Sequence, residues 1–217
     1  MKKTIHTMEV KMNNIKPMDI EKRSFEIITE ELGDRKLPNE NELVIKRVIH
    51  TSADFDYVDN LKFSDNAVSR AIEALKKGCD IVTDTQMAKS GINKTVLSSL
   101  GGSLHCFMSD EDVANEAKDR GVTRAVVSME KAARLEKPCI FAIGNAPTAL
   151  IRLKELLDEG KINPVLIIGV PVGFVNVVES KELIMTTNAP YIVAAGRKGG
   201  SNVAAAICNA MLYQIKR

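Results

Sequence analysis

The sequence predicts an α/β fold: three layers, with a mostly parallel central sheet and helices on both faces. Two observations carry it. Short apolar runs alternate with helix-length amphipathic stretches through the C-terminal half, the pattern of successive βα units. Loops rich in Gly, Asn, Pro and Thr separate them, as strand-to-helix turns require.

The elements follow in order. Pro17 to Leu32 places Ile20, Phe25, Ile27, Ile28 and Leu32 at helical spacing, with Gly33 as terminator. Asn39 to Thr51 is a second helix, with Leu43, Val44, Val48 and Ile49 on its inner face. Ser64 is expected to cap a third, running through Ile72 and Leu75 to Gly78. Cys79 to Thr83 reads as a buried strand, and Ser109 with Asp112 as a capping box for a helix ending near Gly121. Three strand–helix pairs follow: Pro138–Ile143 with Pro147–Glu159, Val165–Ile168 with Val178–Met185, and Tyr191–Ala195 with Ser201–Gln214. The 217 residues, 45% hydrophobic, suit one domain over 1–217 with an N-terminal tail of about 14 residues.

Composition excludes several functions. A net charge of +2, 4% aromatic residues and no Trp disfavour a nucleic-acid partner. No run of about 18 apolar residues occurs, so no membrane partner is expected. The polar start, Met1 to His6, lacks the apolar core of a secretory signal, and a cytoplasmic location is expected. The four cysteines, Cys79, Cys106, Cys139 and Cys208, have no metal-ligand spacing, so no metal site is expected. Cys79, Cys139 and Cys208 read as core thiols. Cys106, beside Ser103 and His105, keeps a nucleophilic alternative.

In an open parallel sheet, ligands bind at the carboxyl ends of the strands. Four loops fall there: Asp84–Met87, Gly144–Thr148, Gly169–Phe174 and Gly196–Asn202. In the second, Asn145 can cap the helix that holds Pro147 in its first turn. In the last, glycines, Arg197 and Lys198 suit a carboxylate or phosphate. Each loop alone is compatible with ordinary turn chemistry; four on one edge suggest a site. No phosphate-loop or dinucleotide motif occurs, which disfavours a nucleotide or flavin binder.

Among the histidines, His6 lies in the polar tail and His105 at a strand end. His50 falls near a helix end in Arg47-Val48-Ile49-His50, with Asp54 and Asp56 following. The helix dipole and those carboxylates favour its cation, and an imidazole near neutrality can give or take a proton. From the residues alone, a capping or core role stands level with a catalytic one.

The ordered blocks Ser24-Phe25-x-Ile27-Ile28, Arg47-Val48-Ile49-His50, Thr123-Arg124, Gly144-Asn145-Ala146-Pro147-Thr148-Ala149-Leu150, Gly169-Val170-Pro171-Val172-Gly173-Phe174-Val175, Glu179-Ser180-Lys181 and Gly196-Arg197-x-Gly199-Gly200-Ser201 resemble the precorrin-8X methylmutase family, including its cobalt-precorrin-8 form. The resemblance covers nearly the whole chain. It implies a homodimeric isomerase, working without a cofactor, with its sites near the subunit interface. It also implies migration of a methyl group from C11 to C12 of a corrin precursor in cobalamin biosynthesis, giving hydrogenobyrinate, or cobyrinate when cobalt is present. His50 matches the family's proton donor, and Ser24 and Arg124 match positions associated with substrate contact. The polycarboxylated substrate would also meet Arg47, Thr85, Gln86, Asn145, Arg197, Lys198 and helix N-terminal amides. A carrier that delivers the same acid unaltered would use the same rim.

Overall fold

The computed structural model describes Lys16 and residues 19–216. The chain divides into two compact units, one ending at Arg35 and the other spanning Lys36–Arg217. The first contributes α1 (Ile20–Leu32), which Gly33 ends with a positive φ of 57° and an N–H donated to Glu30 O. Its expected start at Pro17, like the histidine at position 6, lies outside the described residues.

The second unit runs α2 (Glu42–Ser52), α3 (Tyr57–Asn60), β1 (Leu61–Phe63), α4 (Ala67–Lys76), β2 (Asp80–Thr83), α5 (Gln86–Gly91), α6 (Lys94–Ser99), β3 (Leu104–His105), α7 (Glu111–Arg120) and α8 (Arg124–Ala132). It continues with β4 (Cys139–Ile143), α9 (Pro147–Asp158), β5 (Leu166–Gly169), α10 (Val177–Met185), β6 (Tyr191–Ala194) and α11 (Ser201–Ile215). The six strands form one sheet in the order β1-β6-β5-β4-β2-β3. Every pairing is parallel except that of edge strand β1 with β6.

The strands β2, β4 and β5 are buried along their whole length, as expected where helices cover both faces of a parallel sheet. Side-chain alternation divides them. Val82, Phe141, Ile143, Ile167 and Val193 join one core with Met129 of α8, Leu150, Leu153 and Leu156 of α9, and Ile184 of α10. The other face is covered by α11, which packs on β4, β5, α2, α4 and α5.

Several local expectations are corrected. Ser64 does not cap α4: its hydroxyl accepts from Tyr191 N–H at 2.9 Å and so extends the β1–β6 pairing, while Asn66 in a left-handed conformation precedes the helix. Ser109 does not cap α7; Asp110 stands at that position, and the Ser109 hydroxyl accepts from Gln86. Leu43 is 48% exposed, and Ile45 is buried in its place. The short elements β1, α3, α5 and α6 and the helix α8 were not named from the sequence, and of β3 only its end at His105 was.

Candidate functional site

Strand β2 continues to β3 on one side, whereas β4 lies on its other side. The chain therefore reverses its winding between β2 and β4, where such sheets open a crevice at the carboxyl ends. Asp84, directly after β2, is wholly buried there. Its carboxylate accepts from Gly144 N–H at 2.9 Å, Asn145 N–H at 2.8 Å and Ala146 N–H at 2.6 Å. Burial pushes this carboxyl above its ordinary range, and the three amide bonds pull it back. The start of α9 is thus held by Asp84, and the expected Asn145 side-chain cap is not formed. The same bonds occupy amides expected to be open to a substrate carboxylate.

The other loops are bonded into the same edge. The Thr85 hydroxyl caps α5 by accepting from Ala88 N–H at 3.0 Å and lies 2.8 Å from the Ser201 hydroxyl. Thr123 caps α8, placing exposed Arg124 in its first turn, and its hydroxyl lies 3.0 Å from that of Thr148. Gly200 N–H donates to Val170 O at 2.8 Å and Gly173 N–H to Arg197 O at 3.2 Å. Close approach demands glycine twice. A Cβ at Gly144 would fall 2.7 Å from Ser201 Cα, and one at Gly199 would fall 2.1 Å from Val170 O.

His50 stands exposed in the last turn of α2. The carboxylates expected to assist it are engaged elsewhere. Lys198 Nζ donates to Asp54 and Asp56, each at 2.6 Å. That bond holds the Asp54 carboxyl below its ordinary range and raises the Lys198 ammonium. The β6–α11 loop is thereby tied to the segment that follows His50.

The remaining expected residues are placed as follows. Arg47 stacks on Tyr213 of α11, 5.2 Å from the ring centre. Arg197 is exposed and lies 5.4 Å over the ring of Phe174. Gln86, the first residue of α5, and Asn145, on the loop before α9, are exposed. Ser24 lies on α1 in the first unit, with its hydroxyl donating to Ile20 O at 2.9 Å. Thr85, Gln86, Asn145, Arg197 and Lys198 are brought to one edge of the sheet, with Arg124 at the start of the adjoining α8.

The sequence placed Asp84 in the first loop and Lys181 in a motif block, but neither was given a role. Lys181 sits on α10, wholly buried, and its Nζ donates to Gly196 O and Lys198 O, both at 2.8 Å. Desolvation brings its ammonium down to about 8. The signals were an acidic residue directly after a strand and a lysine on the inner face of a helix, beside Val177 and Ile184.

Other candidates recede. Cys106 is buried like the remaining thiols, which does not support a nucleophile. Burial raises Cys79 and Cys208 to about 12 and Cys139 to about 11. His105 lies 3.0 Å from the Asp80 carboxylate and stacks on Phe107, an arrangement that holds the sheet edge. A cleft of about 770 Å³ opens at the opposite, amino-terminal edge of the strands, lined in part by Arg70, Lys77, Lys137 and Lys161. Lys77 stands at the C-cap of α4, where a cation complements the helix end.

Comparison with known proteins agrees with this architecture. The family model described as CbiC, precorrin-8X methylmutase, matches residues 19–214. The chain is 47% identical over 202 residues to a cobalt-precorrin-8 methylmutase of Leptospira interrogans, covering 89% of this chain and 92% of that protein. It is 45% identical over 203 residues to a cobalt-precorrin-8 methylmutase of Priestia megaterium, covering 94% and 90%. The crystal structure of a precorrin-8X methylmutase from Thermus thermophilus superposes with a TM-score of 0.82 at 34% identity, over 90% of this chain and 96% of that one. By sequence and by fold, the chain belongs to the precorrin-8X methylmutase family, whose members are isomerases.

Proposed function

We propose that this chain moves a methyl group from C11 to C12 of the corrin precursor in cobalamin biosynthesis, with His50 as the proton donor. The single observation that carries the reading is the exposed imidazole at the end of α2, on a segment tied through Lys198 to the Arg197 loop. Of the two forms of substrate, cobalt-precorrin-8 is favoured, because the relatives at 45% and 47% identity are both named for it. The product would then be cobyrinate; from precorrin-8X it would be hydrogenobyrinate.

A methyl shift around a conjugated ring exchanges one C–C bond for another, so it requires no covalent nucleophile. It requires a proton at the right ring position and a macrocycle held in one conformation. The imidazole supplies the first. Carboxylate side chains of the substrate meet Arg124 and Arg197 at the rim, with Thr85, Gln86 and Asn145 as neutral hydrogen-bonding neighbours. Ser24 and Arg47 complete the proposed contacts. Lys198, with its ammonium on Asp54 and Asp56, is read chiefly as a strap. The ring's apolar faces suit exposed Met87 in the first turn of α5 and exposed Val172, Phe174 and Val175 on the loop after β5. These residues also supply apolar surface for the homodimer that is part of the same reading. The chain is expected to work as one domain in the cytoplasm. Among the described residues, no helix is long and apolar enough to cross a membrane.

The test is His50→Ala, followed by the corrinoid absorbance change in a single turnover. We expect substrate to bind and migration to slow by about 10²- to 10⁴-fold, the contribution of one positioned acid. An unchanged rate would remove His50 from the mechanism.

A further inference from the structure

We propose that Lys181 is a positioning residue that, through two backbone carbonyls, holds Arg197 where it binds a carboxylate of the corrin substrate. The inference rests on the function proposed above and deepens it.

Five observations carry it. Lys181 is fully buried on α10, yet its ammonium has no carboxylate partner among the described residues. A cation so placed is costly to desolvate, and two carbonyl bonds offset only part of that cost. Its two acceptors, Gly196 O and Lys198 O, flank Arg197 on either side. The peptides around Arg197 are thus fixed from inside while its guanidinium stays exposed, lying over Phe174. The carbonyl of Arg197 itself accepts from Gly173 N–H, which joins this loop to the one carrying Phe174. On the far side, Lys198 reaches Asp54 and Asp56 after the His50 helix. The lysine pair therefore sets the Arg197 loop relative to both neighbours.

The charged surroundings of Lys181 are few. Strand β5 carries no titratable side chain, and β6 carries only Tyr191. Helix α9 carries Arg152, Lys154, Glu155 and Asp158, with Arg152 paired to Glu155 and Lys154 to Asp158. On α10 itself lie Glu179 and Glu182, and on the loop Arg197 and Lys198. None of them contributes to the Lys181 shift, which comes from desolvation alone. Loss of its proton would replace two charge-assisted bonds by neutral ones of about half the strength.

The experiment measures the affinity of the protein for hydrogenobyrinate by absorbance titration. It compares the unaltered protein with Lys181→Met, Arg197→Met and the double variant, and follows the methyl shift of bound substrate in single turnovers. We expect Lys181→Met to weaken binding about tenfold, as loss of charge-assisted contacts does, with the loss in Kd rather than in the rate of bound substrate. If Lys181 acts through Arg197, the double variant binds no more weakly than Arg197→Met, whereas independent effects would add. Additive losses overturn the proposal. Weakened binding by Arg197→Met with no effect of Lys181→Met overturns it alone. No effect of Arg197→Met overturns the placement of the substrate as well. Should Lys181→Met fail to fold, the unaltered protein still decides. Its affinity should fall from about pH 7 to about pH 9 as Lys181 deprotonates, and Arg197→Met should lack that dependence. A flat profile in the unaltered protein overturns the proposal.

Discussion

Asp84 shows how one side chain can settle a loop. Two carboxylate oxygens serve three consecutive amides at the start of α9, where the helix also favours negative charge. An amide of the same shape offers one oxygen and turns an NH2 group towards backbone donors. Asp84→Asn should therefore leave at least one buried N–H without an acceptor, at a cost of about 1–3 kcal/mol. Urea denaturation of the variant measures this, and a change well below that range would mean that water reaches the loop. Cys106 teaches the opposite lesson at the same scale. Polar neighbours in sequence gave it a catalytic look, and burial in the fold removes the support. His50 differs from both, because a solvent-facing imidazole can reach a bound ring.

At the scale of the element, α10 combines a structural cost with a task. In the fold, desolvation lowers the Lys181 ammonium from 10.5 to about 8. Below about 8, both folded and unfolded chains hold the proton, and the burial cost is present in full. Between those values the unfolded chain keeps a proton that the folded chain has released, so this group makes stability rise with pH. The unaltered protein should thus gain stability relative to Lys181→Met between about pH 8 and about pH 10. Denaturant unfolding at several pH values checks the sign; a constant difference would contradict an ammonium destabilised by burial. The opposite direction is expected for substrate affinity, so one proton would strengthen binding and weaken the fold. Helix α9 illustrates a second element-level point. Its N-terminal support comes from a residue some sixty positions earlier, which no capping rule within the segment could reveal.

For the whole molecule, the reversal of strand order between β2 and β4 decides where chemistry can occur. It brings the loops after β2, β4, β5 and β6 to one edge, while the cleft at the amino-terminal edge is left to helix C-termini and their lysines. The rigidity of that edge depends on the core beneath it. Leu150 lies fully buried where α9 meets the sheet, and Leu150→Ala should cost about 2–5 kcal/mol, measured by denaturant unfolding. A smaller loss would mean that the helix layer collapses into the space.

The sequence alone determined the α/β alternation, the strands β2, β4, β5 and β6, the helices after the last three, and the four loops. Periodicity and turn residues are local properties, and they survive being read one window at a time. It also determined the family resemblance, because the motif blocks lie in order along the chain. Tertiary structure alone decided strand order, the edge strand β1, the extent of β3, and the partners of polar side chains. Ser64 bonds to β6 rather than to its own helix, Asp84 to the α9 amides, Lys198 to Asp54 and Asp56, and Lys181 to the Arg197 loop. Each of these contacts joins residues far apart in sequence. Their energies depend on burial and on which donor lies opposite which acceptor, and neither quantity exists until the chain has folded.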